Sequence, residues 1–500
     1  MMKRQTVPTL SKSRFLAGLH CPLRLWHQCY NRELASEVTP ARQAIFDTGH
    51  EVGRLATRLY PGGVLIEEDY LHHEEAVQST LTIMKNPNVP AIYEAAFLED
   101  GVRVRADILV RLEGDNWNLI EVKSSTSLKN EHHADVAIQY HVLRLAGLAI
   151  KTAGILSLNN QYVYNGHQLD LEQLFSFYDL TDEVLASQEE ISLELRWLKE
   201  MLAEEKAPEI RPSRHCKRPY LCEFWEHCTA DMPDYWVMDL AGISDNKLND
   251  LAELGVEDIR HIPEWFALTE LQERIRHCVV DGKEYVSREL GRRLLEVEYP
   301  LYFLDFETIS PAIPRYAGTR PYEAIPFQWS VHVVHEDGTL AHHEYLCLED
   351  RDPREEFTDR LLQALGEKGT IFVYTSYEKG ILIALMNCLT RCSERLASVV
   401  ARLEDLHATI RTHYYHPRLH GSFSLKSVLP ALVPSMSYDN LAVQEGQQAS
   451  VEYLRMVDPA TPPEEREKIR QDLLTYCAQD TLAMVKIREK LLRRAETCRA

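Results

Sequence analysis

GVRVRADILVRLEGDNWNLIEVKSS, residues 101–125, reads as two strands joined by a turn. In the first strand, alternation puts Arg103, Arg105 and Asp107 on one face and the valines and Ile108 on the other. In the second, Glu121 and Lys123 share a face. Across a hairpin, the aspartate of one strand and the Glu-x-Lys of the next can converge on one divalent cation. Carboxylates there hold a metal that activates water, and the lysine stabilises developing negative charge or orients the nucleophile. The same residues also suit a surface hairpin closed by a cross-strand salt bridge, the commoner fate of charged pairs. Upstream, His50 in FDTGHEVGRLA and Glu94 in YEAAF are candidates to complete a metal set.

A second strand carrying acids opens at residue 299. In YPLYFLDFETI, Phe303, Asp305 and Glu307 project one way and Tyr302, Leu304 and Phe306 the other. Two carboxylates on one face of a buried strand are costly unless they bind cations. Far downstream, Tyr476 and Asp480 in TYCAQDT stand four apart and share a helix face. A tyrosine one turn from a metal-binding carboxylate can orient or deprotonate the polarised water. VYTSYEKGIL runs from a strand into a helix with Glu378 at the junction, and Asp405 in ARLEDLHATI is an alternative acid. Asp305, Glu307, Glu378 and Asp480 would supply four acids for two cations, the arrangement of in-line phosphodiester displacement. FQWSVHVVHEDG, HHEYLCL and TIFVYTS add strands, with helices interleaved later, so this half is expected to be an α/β domain on a mixed sheet.

HCKRPYLCEFWEHC spaces Cys216, Cys222 and Cys228 at equal intervals. An all-cysteine zinc site and a [4Fe–4S] cluster both need a fourth thiolate. Cys21, in LAGLHCPLRLW, is the better candidate and Cys29 the competitor. Structural zinc sites usually pair cysteines at shorter gaps, so the spacing favours iron–sulfur over zinc. Joining residue 21 to residue 228 closes nearly the whole first domain, which makes the cluster a clasp.

A chain of 500 residues with 45% hydrophobic content divides into more than one core. We expect a first domain over 1–230, a helical connector over 231–298 and an α/β domain over 299–500. In the connector, LAGISDNKLNDLAELGVEDIRHIPEW reads either as a helix-hairpin-helix turning near Leu254-Gly255 or as plain helical linkage. No apolar run is long enough to span a bilayer and no signal-peptide pattern opens the chain, so it reads as soluble and cytoplasmic. Eleven cysteines, bunched in one place, argue for a metal site over a disulfide framework. The net charge of −21 argues against nonspecific coating of nucleic acid, because phosphate neutralisation needs local positive charge. Such charge is local here: Arg211, Arg214, Lys217 and Arg218 surround a cysteine, and Lys3, Arg4, Lys12, Arg14 and Arg24 crowd the N-terminus.

With these residues in view, His50, Asp107, Glu121-Val122-Lys123 and Gln139, bracketed by Cys21 and Cys216/Cys222/Cys228, resemble the PD-(D/E)XK nucleases of the RecB type, especially their CRISPR-associated exonuclease relatives. That resemblance covers residues 10 to 228. It implies Mg²⁺ or Mn²⁺ at His50, Asp107 and Glu121, a catalytic Lys123, Gln139 on a supporting helix, and a four-cysteine [4Fe–4S] cluster. The tyrosine frequent four residues after the glutamine is Leu143 here, with Tyr140 adjacent. DFET, SFSLKSVLPAL and the Tyr476/Asp480 pair resemble the tyrosine variant of the DEDD exonucleases on an RNase H-like fold, in particular the YprB-type domain. Its second motif departs from the usual Asn-x-x-aromatic-Asp, reading Tyr374, Thr375, Ser376, Tyr377, Glu378. Together the resemblances imply hydrolysis of DNA, as single strands or ends, by two metal sites. The alternatives are an RNA-processing 3′–5′ exonuclease and a nucleic-acid-binding scaffold with one inactive nuclease fold. No Walker-type loop is present, so any ATP-driven unwinding would come from a separate helicase or from repair or defence proteins.

Overall fold

A computed structural model describes residues 8–497; Lys3 and Arg4 of the N-terminal basic run lie outside the described residues. The chain forms two compact units, one of the residues up to Ala230 plus Pro311–Glu323, the other of Asp231–Ser310 plus Ala324 onward. Both mix strands and helices. The connector residues thus cluster with the second unit, and the short Pro311–Glu323 excursion clusters with the first.

The first unit is built on a sheet of β1 (Leu10–Ser11), β2 (Val64–Leu65), β3 (Ala91–Glu99), β4 (Val102–Arg111), β5 (Asn116–Lys123), β6 (Ala149–Leu158) and β7 (Phe175–Asp179). Its order is β2-β3-β4-β5-β6-β7, with β1 paired in parallel to the start of β4. Helices α1 (Lys12–His20), α2 (Pro22–Tyr30), α3 (Pro40–Thr57), α4 (Asn130–Leu145) and α5 (Gln188–Ala203) accompany it. Apolar residues on the two sides make two cores: Leu119 and Ile155 join one, Ile120 and Leu156 the other.

The expected alternation along β4 holds only in part. Val104 and Ala106 join the first core, but Ile108 joins the second and Leu109 the first, so the phase slips near Asp107. The cause lies on the neighbouring strand. Glu94, opposite Asp107 in the β3–β4 register, has φ 56, a left-handed backbone that breaks the pleat. On its other side β4 pairs with β5 only from Ile108↔Ile120 to Arg111↔Trp117, and beyond that the strands fork.

In the second unit, β8 (Tyr285–Val286) pairs with β14 (Tyr414–Tyr415). The main sheet contains β9 (Leu301–Ile309), β10 (Ile325–Val334), β11 (Leu340–Leu346), β12 (Ile371–Val373) and β13 (Leu403–Asp405), in the order β11-β10-β9-β12-β13. β9, β10 and β11 are antiparallel, whereas β12 and β13 run parallel to β9. Tyr302, Leu304 and Phe306 enter the core with Phe357 and Leu361, as alternation predicts for β9. The opposite face meets α10 (Pro463–Thr497), where Gln328 donates to the Leu473 carbonyl (2.8 Å) and Ser330 meets Thr481 (2.8 Å). Helices α6 (Tyr377–Cys388), α7 (Leu406–His413), α8 (Leu425–Leu432) and α9 (Gly446–Val457) lie between β12 and α10 in sequence.

The connector contains a helix over Asp245–Glu253 and a turn at Gly255 (φ 70), but the second arm of a helix-hairpin-helix does not form. Within the stretch read as its second arm there is a three-residue 3₁₀ turn, Ile259–His261, and the next helix, Glu270–Asp281, begins beyond Pro263. Pro263 accounts for this, since a proline disfavours helix at the residue before it and cannot donate to the turn behind. Among the described residues, no helix is long and apolar enough to cross a membrane.

Candidate metal centres

The fork between β4 and β5 builds the first centre. Where the ladder ends, the Val122 amide donates to Asp107 Oδ2 (2.7 Å) instead of to a strand carbonyl, which fixes that carboxylate at the fork. Glu121, buried, accepts Lys123 Nζ (2.7 Å) on Oε1 and Gln139 Nε2 (2.7 Å) on Oε2. Two residues absent from the sequence reading of this site complete it. Asp135, one turn before Gln139 on α4, pairs with Lys123 and accepts Gln139 Nε2 (3.1 Å). Lys12, in the first turn of α1, reaches Glu121 Oε1 (2.6 Å) and Asp135 Oδ1 (3.1 Å). Glu94 pairs with Arg105 (3.2 Å). His50 is exposed on α3 and makes no hydrogen bond to Asp107 or Glu121.

Burial, then the Glu121 charge, pushes Asp107 well above the carboxylate range. Burial also acts to raise Glu121, but the two ammonium groups outweigh it and hold that carboxyl below its ordinary value. For Lys123, the surrounding Glu121 and Asp135 outweigh burial and raise its pKa, so it stays protonated at neutral pH. Beside Asp107 opens a groove of about 970 Å³ lined by Lys12, Arg14, Arg32, Arg42, Arg103 and Arg105 and by the acids Glu37, Glu94 and Glu223, with Tyr70 (75% exposed) and Leu71 at its edge.

Cys21, Cys216, Cys222 and Cys228 line one hollow together, and Cys29 packs on the sheet core instead. Burial, then Cys222, Cys216 and Cys21, pushes the Cys228 thiol up to about 11. Among the described residues no three of these thiols lie within 4.8 Å of one another. Around them the two ends of the unit are sewn together. Glu223 accepts from Gln28 (2.7 Å) and pairs with Arg24 (2.9 Å), its carbonyl accepts the Ser36 amide (2.8 Å), and His20 Nε2 meets the His215 carbonyl (2.9 Å).

The second centre gathers acids from β9, α6 and α10. Glu307 is 6%, Glu378 4% and Asp480 7% exposed, with Asp305 between them. Asp305, Glu307 and Cys477 each bring one potential ligand atom within 4.8 Å of the others. Burial raises Asp305 well above its usual range, followed by the charges of Asp480, Glu307 and Glu378. Burial likewise lifts Glu307 to about 8, Glu378 to about 7 and Asp480 to about 6. Lys426 on α8 is the cation that counters Glu307 and Asp480. Glu378 Oε2 is buried with no hydrogen-bond partner. Asp405 caps α7 through the Ala408 amide (2.7 Å), whereas Glu378 faces Asp305. Four carboxylates beside one ammonium fit divalent cations, since an unpaired buried charge is otherwise expensive.

Tyr476 and Asp480 share a face of α10 as their spacing predicts, and both Tyr476 and Tyr438 hydrogen-bond the Asp480 carboxylate. Burial, then Asp480 and Glu307, raises the Tyr476 hydroxyl well above its ordinary value, so it holds its proton and donates. Should the centre be hydrolytic, Tyr476→Phe is expected to lower its turnover by about 10²–10⁴-fold while Mn²⁺ affinity is kept. Single-turnover cleavage in a Lys123→Ala background reads it, and unchanged turnover would place the tyrosine in the packing alone.

A family model described as a domain of unknown function (DUF2779) matches residues 302–424. That span takes in Asp305, Glu307, Glu378 and Asp405 and ends before Tyr476 and Asp480. No curated protein matches the chain.

Proposed function

We propose that this chain is a metal-dependent nuclease with two hydrolytic centres, the first on a PD-(D/E)XK core clasped by a [4Fe–4S] cluster, the second on an RNase H-like DEDD domain. The observation that carries the reading is the convergence of four acids from β9, α6 and α10, three of them buried and Asp305 partly so, on one locus with one lysine to offset them. The forked strands of the first unit support it independently, since they hold an Asp and a Glu-x-Lys beside a basic groove. The β11-β10-β9-β12-β13 order, with β12 and β13 parallel to β9, supports the RNase H-like assignment. Mg²⁺ or Mn²⁺, when bound, would polarise a water and the scissile phosphate. At the first centre Asp107 and Glu121 would hold it, Lys123 would offset charge on the pentavalent phosphate, and Gln139 and Asp135 would fix Glu121 and Lys123. At the second, Asp305, Glu307, Glu378 and Asp480 would hold it, and Tyr476 would help fix Asp480 and the water that it positions.

For the cysteines, the shared hollow of Cys21, Cys216, Cys222 and Cys228 supports one common iron–sulfur cluster with Cys21 as the fourth ligand. The substrate we assign is DNA, as single strands or ends, acted on in the cytoplasm beside any separate helicase or repair and defence proteins.

End-labelled single- and double-stranded DNA and RNA, incubated with Mg²⁺ or Mn²⁺, test this. Lys123→Ala is expected to remove one cleavage activity and leave the other, and Asp305→Ala to do the reverse. Absence of cleavage of every substrate by folded wild-type protein would refute the nuclease reading; cleavage of RNA alone would favour the RNA-processing alternative.

A further inference from the structure

Cys477 lies on α10 between the tyrosine and the aspartate of the second centre and is fully buried. Its thiol faces Asp305, with Sγ 3.6 Å from Oδ2 and 3.9 Å from the carbonyl oxygen. It also comes within 4.8 Å of a Glu307 oxygen, the spacing at which three groups can share one ion. An independent observation points to a ligand at the same place: Glu378, 4% exposed, lies against Asp305 and leaves its Oε2 buried with no hydrogen-bond partner. Oxygen-only sites suit Mg²⁺, Ca²⁺ and Mn²⁺, whereas a thiolate added to carboxylates shifts preference toward softer cations such as Zn²⁺.

We propose that Cys477 is a metal ligand of the second centre, and that together with Asp305 and Glu307 it makes one of its cation positions selective for a thiophilic divalent ion of the zinc type. This rests on the nuclease reading only for the use of the metal, not for its binding. Ligation breaks the S–H bond, forms the sulfur–metal bond and releases one proton to solvent; no oxidant or reductant takes part. Neighbouring carboxylates that disfavour a bare thiolate favour it once the cation is present, because the ion is the largest charge in the site.

Anaerobic full-length protein with its cysteine clasp loaded is titrated with Co²⁺ and, separately, with Zn²⁺, for wild type, Cys477→Ser and Cys477→Ala. The expected result is a thiolate-to-Co²⁺ charge-transfer band in the wild-type-minus-variant difference spectrum. Zn²⁺ affinity at the centre should be at least about tenfold weaker in both variants, the scale on which one metal contact matters, and Mg²⁺ affinity should be unchanged. Serine is close in size to cysteine and can keep the contact to Asp305, so it separates ligation from packing. A difference spectrum without that band, or Zn²⁺ affinity equal in all three proteins, overturns the proposal. Cleavage by wild type with Mg²⁺ alongside a flat difference spectrum would refute this inference and leave the nuclease reading standing; the band without cleavage of any substrate would do the opposite.

Discussion

Asp305→Asn is expected to silence the second centre and, at the same time, to make the metal-free protein harder to melt. The loss of activity follows from removing a ligand charge, and a fall of at least about 10²–10³-fold is the scale seen when one preorganised electrostatic group is lost. The gain in stability follows from the same geometry. Asp305 is raised by burial and by the charges of Asp480, Glu307 and Glu378, so the metal-free fold carries repulsion that an amide relieves. Such relief is worth about 0.5–2 kcal/mol, or a few degrees in Tm for a domain of this size. The pH dependence has a definite sign. Glu307, Glu378 and Asp480 titrate near 8, 7 and 6 in the fold, above their unfolded values. Between about pH 4 and 8 the folded state therefore binds more protons than the unfolded one, and stability without metal falls as pH rises through that window. Saturating Mn²⁺ should abolish the slope by replacing those protons. Scanning calorimetry of chelated wild type and Asp305→Asn at pH 5 and 8 checks this; a variant that melts lower than wild type at pH 8 would show that Asp305 stabilises the metal-free site.

What sequence reveals here follows the range of the interactions. Period-two alternation is local, so β9 and its inward acids were readable, as was the shared face of Tyr476 and Asp480 on a helix. Alternation in β4 was readable only up to the slip, because Glu94's left-handed backbone belongs to the neighbouring strand and leaves no local pattern. Lys12 looked like one more solvated cation of a basic N-terminus, and only the packing of α1 brings it to Glu121, far along the chain. Asp135 did leave a signal: it sits four residues before Gln139, so a helix that carries one must present the other on the same face. Tyr438 lies in an irregular stretch before α9, where no periodicity announces a partner for Asp480. Glu223 was hidden in plain view between two cysteines, where spacing drew attention to sulfur and away from the carboxylate that ties Arg24, Gln28 and Arg42.

Replacing Cys216 or Cys222 by serine should cost the first unit much more than an ordinary buried substitution. Anaerobically purified wild type is expected to be brown, with iron and sulfide, and each variant to lose both. The four thiols lie at the two ends of the unit, two helices from the N-terminal edge and one short segment from the other end, and these ends meet around Glu223. Ion pairs of partly exposed groups such as Arg24–Glu223 contribute little by themselves. The proposed cluster would add to these a link that closes a loop comprising most of the unit. By analogy with a covalent crosslink, opening it costs about 2–5 kcal/mol, or roughly 5–20 °C in the melting of this unit. Because α1 carries Lys12 at its start and is followed directly by Cys21, release of the clasp should also loosen Lys12 from Glu121 and Asp135. Cleavage at the first centre should therefore fall together with iron content, while Asp305-dependent cleavage persists until its own unit melts. Cys29→Ser serves as the control and should keep iron, colour and melting temperature. Stoichiometric zinc with no iron in the anaerobic wild type would replace the cluster by a zinc clasp, and a variant that loses iron yet melts with wild type would show that Glu223 and its partners hold the two ends without it.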